Sequence, residues 1–323
     1  MKKTYIASAI AAATLSTSAF AMDPATDLAE MLESMPEFYG NIQLVHTNAN
    51  EDKMTTTATP KKFEDSTHEL SDNGSTFGIK HSHAISEGVE GFLKAEFEFA
   101  ADDDNGKGIT KLDEAYIGVK GDFGSVQVGS DDTVYEWVDM IDTSEAVGLS
   151  GEIADLEEGD NLQYVSPEIA DGLVVGLTVP FDGSETDSTF GGALAAKYSV
   201  DNLDVVLAYG LGHNDSEDTI GLAGTYSMGD IALIAQYETQ DENEDYIGLQ
   251  GMYTMGANVF ALGYSMTSFD ASSLEDESSI YVQGLHNVSD HTYVYLEYTT
   301  TSDLDGAEGF DKDALAIGAA YSF

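Results

Sequence analysis

The chain has 323 residues, with 59 Asp or Glu against 12 Lys and no Arg, for a formal charge of −47. Phosphate contacts need clustered cations, so the composition argues against a nucleic-acid partner. The absence of Cys removes disulfides, thiolate chemistry and Cys-ligated metals. Apolar residues make up 42%, ordinary for a folded chain, but so large an acidic excess repels itself and calls for salt, divalent cations or a strong scaffold.

Residues 1–21 read as a secretory signal peptide. Lys2 and Lys3 precede the apolar stretch Ile6 to Leu15, and Ala19-Phe20-Ala21 supplies the small-residue cleavage pattern, with cleavage expected after Ala21. The apolar core is too short to anchor in a bilayer, and no later segment reaches the roughly 18 apolar residues of a membrane helix. The remaining options are a soluble protein or a membrane β-barrel. Residues 22–36 read as a short amphipathic arm. Asp23 caps it, Pro24 suits its first turn, and Leu28, Met31, Leu32 and Met35 share one face.

From Glu37 onward the helical period gives way to alternation. Strands are predicted at 37–46, 74–82, 89–100, 111–120, 123–130, 160–167, 172–180, 190–200, 203–210, 217–227, 230–239, 244–254, 257–267, 278–287, 291–300 and 312–323, sixteen in all. Short turns such as Gly121-Asp122, Asp201-Asn202 and Met255-Gly256 alternate with longer acidic connections. Within strands, Leu93, Ala95, Phe97 and Phe99 alternate with Lys94, Glu96 and Glu98. In the last strand Leu315, Ile317, Ala319, Tyr321 and Phe323 alternate with Ala316, Gly318, Ala320 and Ser322. An even strand count, short turns at one end, long loops at the other and apolar-against-small alternation describe an all-β fold, a 16-stranded antiparallel transmembrane β-barrel over 37–323. Closure satisfies the backbone hydrogen bonds that hydrocarbon cannot.

Between the fifth and sixth strands, Asp131 to Asp160 holds eleven carboxylates and no Lys, Arg or His. Taken alone this is a solvated acidic loop. Other motifs carry less. Asp102-Asp103-Asp104-Asn105-Gly106-Lys107 resembles a calcium loop, but Lys107 falls on a ligand position. His81 and His83 flank a turn and read as a surface pair. No motif assembles a nucleophile with its base or calls for a cofactor or resident metal, so an enzyme is not expected.

Several runs carry a family resemblance. They are Phe38-Tyr39-Gly40, the run Ser75 to Lys80 (STFGIK), Gly91 to Ala95 (GFLKA), Glu114 to Gly129 (EAYIGVKGDFGSVQVG), Tyr164 to Glu168 (YVSPE) and the terminal Tyr321-Ser322-Phe323. In this order and spacing the chain resembles the general bacterial porins of Gram-negative outer membranes, across nearly all of its mature length. The resemblance implies a homotrimer of water-filled barrels in the outer membrane, in contact with lipid and lipopolysaccharide. It also implies recognition of Phe323 by barrel-assembly machinery, and a third long loop folded inward to narrow the pore.

The strand count puts 131–159 in that third-loop slot. The acids expected at the constriction are then Asp131, Asp132, Glu136, Asp139, Asp142, Glu145, Glu152 and Asp155. Asp131, Asp132, Glu136, Asp139 and Asp142 are preferred as nearest the inward turn. The family sets such acids against a basic wall cluster, often Arg. Here the corresponding wall positions are Thr76, Asp113, Ser130 and Gln163, with Lys80 and Lys94 as a residual positive patch or as partners of nearby acids. The expected function is passive diffusion of small hydrophilic solutes and ions with a preference for cations. The alternatives are a substrate-selective channel and a non-conducting structural or adhesive barrel.

Overall fold

The computed structural model describes residues 35–54, 62–102, 108–149, 151, 153–154, 156, 158–181, 191–212, 217–271, 276–303 and 311–323. The expected signal peptide and all but the last two residues of the expected 22–36 arm fall outside this set. The strands are β1 (Glu37–Met54), β2 (Lys62–Asp72), β3 (Thr76–Ser86), β4 (Val89–Phe99), β5 (Ile109–Gly121), β6 (Gly124–Ser130), β7 (Asn161–Val165), β8 (Leu173–Pro180) and β9 (Gly192–Val200). They continue with β10 (Leu203–Leu211), β11 (Thr219–Met228), β12 (Ile231–Gln240), β13 (Glu244–Met255), β14 (Asn258–Phe269), β15 (Glu277–Ser289), β16 (Thr292–Asp303) and β17 (Asp311–Ser322).

From β3 onward each strand pairs antiparallel with the next, and β17 returns to β1 with Asn41 against Ser322 and Glu51 against Lys312. The seam is locked at its lower end, where Gly40 and Phe323 exchange backbone bonds of 3.1 and 3.0 Å. β2 and β3 both pair with β1, β2 along its upper part and β3 along Glu37–Asn41. They are two halves of one wall strand, interrupted at residues 73–75. The Asp72 carboxylate accepts from the backbone N–H groups of Gly74 and Ser75, and the Ser75 hydroxyl accepts from Gln43 N–H. The seventeen segments therefore make sixteen wall strands in a closed antiparallel barrel.

The wall differs from the sequence expectation at one place. β1 runs on to Met54, and β2 was not expected as a strand at all. Thr47-Asn48-Ala49-Asn50-Glu51 and Ser66-Thr67-His68-Glu69 show no apolar period, and residues 66–70 are exposed. A hairpin with water on both faces loses the alternation by which strands are read.

Elsewhere the alternation holds. On β12, Ile231, Leu233 and Tyr237 are exposed while Ile234, Gln236, Glu238 and Gln240 are buried. On β17, Leu315, Ile317 and Tyr321 are exposed against buried Ala314, Ala316 and Ala320. Tyr198, Tyr226 and Tyr253 ring the outer surface beside the short turns. Tyr209, Tyr237, Tyr264 and Tyr298 ring it beside the long connections. Two aromatic girdles bounding an apolar outer belt mark a wall built for lipid.

Candidate functional site

The segment between β6 and β7 lies against the inward faces of the later strands. Thr133 caps a short 3-10 helix, Val134–Val138, in a capping box with Glu136. Val134, Tyr135 and Val138 are fully buried against Ala193, Ala195, Val206, Ala208 and Ala223. These wall residues are small because a second layer of chain must pack over them. Farther along, Ile141 and Leu149 pack on Ile234, Tyr246, Ala261 and Tyr281, and Ala146 and Val147 pack beside Val45, Tyr295 and Ala316. The segment thus sweeps across the inner wall from β9 round to β1.

Two buried glutamates of the wall hold it there. Glu238 on β12 is 0% exposed. It accepts from the Tyr135 hydroxyl at 2.6 Å, Gln236 Nε2 at 2.8 Å and Ile153 N–H at 3.4 Å. Glu297 on β16, also 0% exposed, accepts from the consecutive N–H groups of Glu145, Ala146 and Val147 at 2.7, 2.9 and 3.0 Å. It also accepts from the Tyr281 hydroxyl at 3.0 Å and Gln283 Nε2 at 2.9 Å. No cation pairs with either among the ion pairs of the described residues; hydrogen-bond donors alone offset their desolvation. Asn73 Nδ2 adds a bond to the Glu145 carbonyl at 2.6 Å. Neither glutamate was picked out from the sequence. Each is a lone acid in the inward row of a strand, with no local signal that a backbone N–H 85 residues away, for Glu238, or three N–H groups 150 to 152 residues away, for Glu297, would meet it.

The expected acids divide by role. Asp132 and Asp142 are exposed. Asp131 is half-buried, bonded by Gln127 Nε2 and reached by Gln163 Nε2 at 3.5 Å. Glu136 serves the capping box, Asp139 accepts from Gln236 Nε2 at 3.2 Å, and Glu145 accepts from the Tyr293 hydroxyl at 2.6 Å. Glu152 and Asp155 lie outside the described residues. Burial, and next the charge of Glu114, push the Asp131 carboxyl up to about 7. Burial raises Asp139, and burial with the nearby Asp132 raises Glu158. The carboxylates of Asp132, Glu136 and Glu158 converge within 4.8 Å, as do those of Glu96, Asp113 and Glu114.

The wall on β3–β5 carries lysines. Lys80 pairs with Glu37 at 3.1 Å, Lys94 with Glu114 at 2.5 Å, Lys111 with Glu98 at 3.0 Å and Asp113 at 3.5 Å, and Lys120 with Glu90 at 3.1 Å. Thr76 accepts from Asn41 Nδ2 at 3.2 Å, and Gln163 accepts from the Thr178 hydroxyl at 2.7 Å beside Asp131. Asp113 sits at a bulge where β4 and β5 shift register, which brings it to Lys111 and Glu114. Ser130, expected on the pore wall, instead pairs with Ala115 on the face shared by Val126 and Val128, with Val128 exposed. The period of two in a strand turns it away from Gln127.

A family model described as Gram-negative porin matches residues 7–323. The chain belongs to the Gram-negative porin family. This porin is 29% identical to a monosaccharide porin of Halomonas sp and to a major outer membrane protein of Halomonas elongata, over alignments of 386 positions spanning 100% of each chain. Its fold is similar to the anion-selective porin from Comamonas acidovorans, with a TM-score of 0.72 at 17% identity, covering 90% of this chain and 99% of that one. It is also similar to the trimer form of OmpT from Vibrio cholerae, with a TM-score of 0.66 at 18% identity, covering 90% and 99%. The porin is a protein of the outer membrane, and its family and relatives are channels.

Proposed function

We propose that this porin is a passive diffusion channel for small hydrophilic solutes and ions, constricted by the segment between β6 and β7 and selective for cations. The observation that carries the reading is the charge distribution on the inward surface. Asp131, Asp132 and Asp142 of the segment have no basic partner among the ion pairs of the described residues, and the lysines on β3–β5 are each already matched to carboxylates. Glu96 and Glu158 add to the surplus. A carboxylate about 4 Å from a passing cation contributes roughly 1 to 4 kcal/mol, depending on the effective dielectric. Salt screens the effect beyond about 8 Å at physiological strength.

Both Halomonas relatives match end to end, and the name of one supports small neutral sugars among the solutes. The trimeric neighbour supports a homotrimer, with lipid and lipopolysaccharide against the outer belt and Phe323 offered to assembly machinery. The test is the reversal potential of the purified protein in planar bilayers under a KCl gradient. A potential of the sign set by cations is expected. The anion sign would overturn the selectivity, and no conductance would overturn the channel.

A further inference from the structure

The lysine-bearing wall also carries aromatic rings. Tyr39 reaches across to β3, where a Cβ on Gly78 would lie 2.3 Å from its Cζ and 2.5 Å from its hydroxyl. Phe92 reaches across to β5, where a Cβ on Gly118 would lie 2.4 Å from its Cζ. Each ring rests on a glycine because any side chain there would lift it off the wall. Tyr116 meets Phe92 edge-on, with centroids 6.2 Å apart. Register places the ion pairs among the rings, since Lys80 is directly opposite Lys94, and Lys94 opposite Tyr116. Lys80 Nζ and Lys94 Nζ lie over the Tyr39 ring, 5.4 and 5.9 Å from its centroid, and Lys120 Nζ lies over Phe92 at 5.8 Å; a ligand stacked on either ring displaces these flexible ammonium groups toward its rim. All three rings are half-buried, on the inward side of strands whose outer side carries Phe77 and Ile117.

We infer that this patch, formed by Tyr39, Phe92 and Tyr116 with the Lys94–Glu114 and Lys80–Glu37 pairs, is a binding subsite for a neutral pyranose sugar. The inference rests on the channel reading and adds a saturable station to it. A pyranose has one C–H face and an equatorial rim of hydroxyls. The face suits an aromatic ring backed by a wall. A Lys–carboxylate pair offers a donor and an acceptor side by side, which adjacent hydroxyls use together, and bonds to charged groups are the stronger kind. An anion is opposed here by Asp131, Glu96 and Glu98. A simple cation gains nothing from the rings that it does not find at the unmatched acids.

The test compares D-glucose with a poly(ethylene glycol) of equal hydrodynamic radius as additives during bilayer recording of the full-length protein. Glucose is expected to lower the ion current along a saturating curve, where the polymer, which only excludes volume, lowers it in proportion to its concentration. Phe92→Leu and Tyr39→Leu keep apolar bulk while removing the flat face. Each is expected to raise the half-saturating glucose concentration about fivefold, measured against its own sugar-free current. A linear, polymer-like response in the unaltered protein overturns the subsite and leaves the channel standing, and so does a half-saturation unmoved in both variants. Absence of any current overturns the channel reading and the subsite together. A variant that does not fold shows no shift of mobility on heating in detergent gels. In that case the decision passes to glucose-driven swelling of liposomes, where saturation in the unaltered protein supports the subsite and strict proportionality overturns it.

Discussion

Glu297→Gln isolates the hold of the wall on the segment. In the native arrangement one carboxylate oxygen accepts from Ala146 and Val147 N–H, and the other accepts from Glu145 N–H, Tyr281 and Gln283. An amide of the same shape has one oxygen and one NH2. Whichever way it is turned, at least two buried donors face another donor. A buried donor left without an acceptor costs about 1–3 kcal/mol, so the loss is roughly 2–6 kcal/mol. That is enough to loosen residues 145–147, which keep the Glu145 bonds to Asn73 and Tyr293 and the packing of Ala146 and Val147 beside Val45, Tyr295 and Ala316. It is too local to open a wall whose strands are paired all round. Single-channel recording is expected to show a larger or noisier conductance with weaker ion selectivity, while circular dichroism retains the strand spectrum. Conductance, noise and selectivity equal to those of the native protein would refute the reasoning, because the five bonds would then not be holding the segment.

Asp131 carries its charge above about pH 7 and loses it below. Cation preference is therefore expected to fall as pH drops through neutrality, and Asp131→Asn to flatten that dependence, both read from reversal potentials. Lys94→Gln strips Glu114 of its 2.5 Å partner. The permeability ratio should move toward cations by at most about fivefold, the equivalent of roughly 1 kcal/mol for a unit charge at about 4 Å in water; a move toward anions would contradict the proposed field. Gly129 has φ +142° and a Cβ there would sit 2.1 Å from the Ala115 carbonyl oxygen. Gly129→Ala should lower stability by about 1–3 kcal/mol, seen as an earlier thermal transition.

The barrel was legible residue by residue because lipid imposes a local rule. A strand with hydrocarbon on one side and a wet or small-residue surface on the other must alternate, and β4, β14 and β17 do. Where both faces of a hairpin meet water the rule lapses, and β2 went unread. The acidic segment was locatable between its strands by counting, and Lys80 and Lys94 could be paired with acids by proximity in the pattern. Ser130 falls on the face of Val126 and Val128, opposite Ala115, because the period of two that turns Gln127 inward turns Ser130 away.

The support of the segment and the sugar-facing patch lay beyond such reading. Glu238 and Glu297 become anchors only when closure of the barrel carries their strands opposite residues 135–153. Tyr39, Lys94 and Tyr116 come together only when the registers of β1 on β3, β3 on β4 and β4 on β5 are all fixed. Composition and period act along the chain and dictate which way each side chain points. Which side chains then meet across the enclosed space depends on register and ring closure, quantities that no single strand contains.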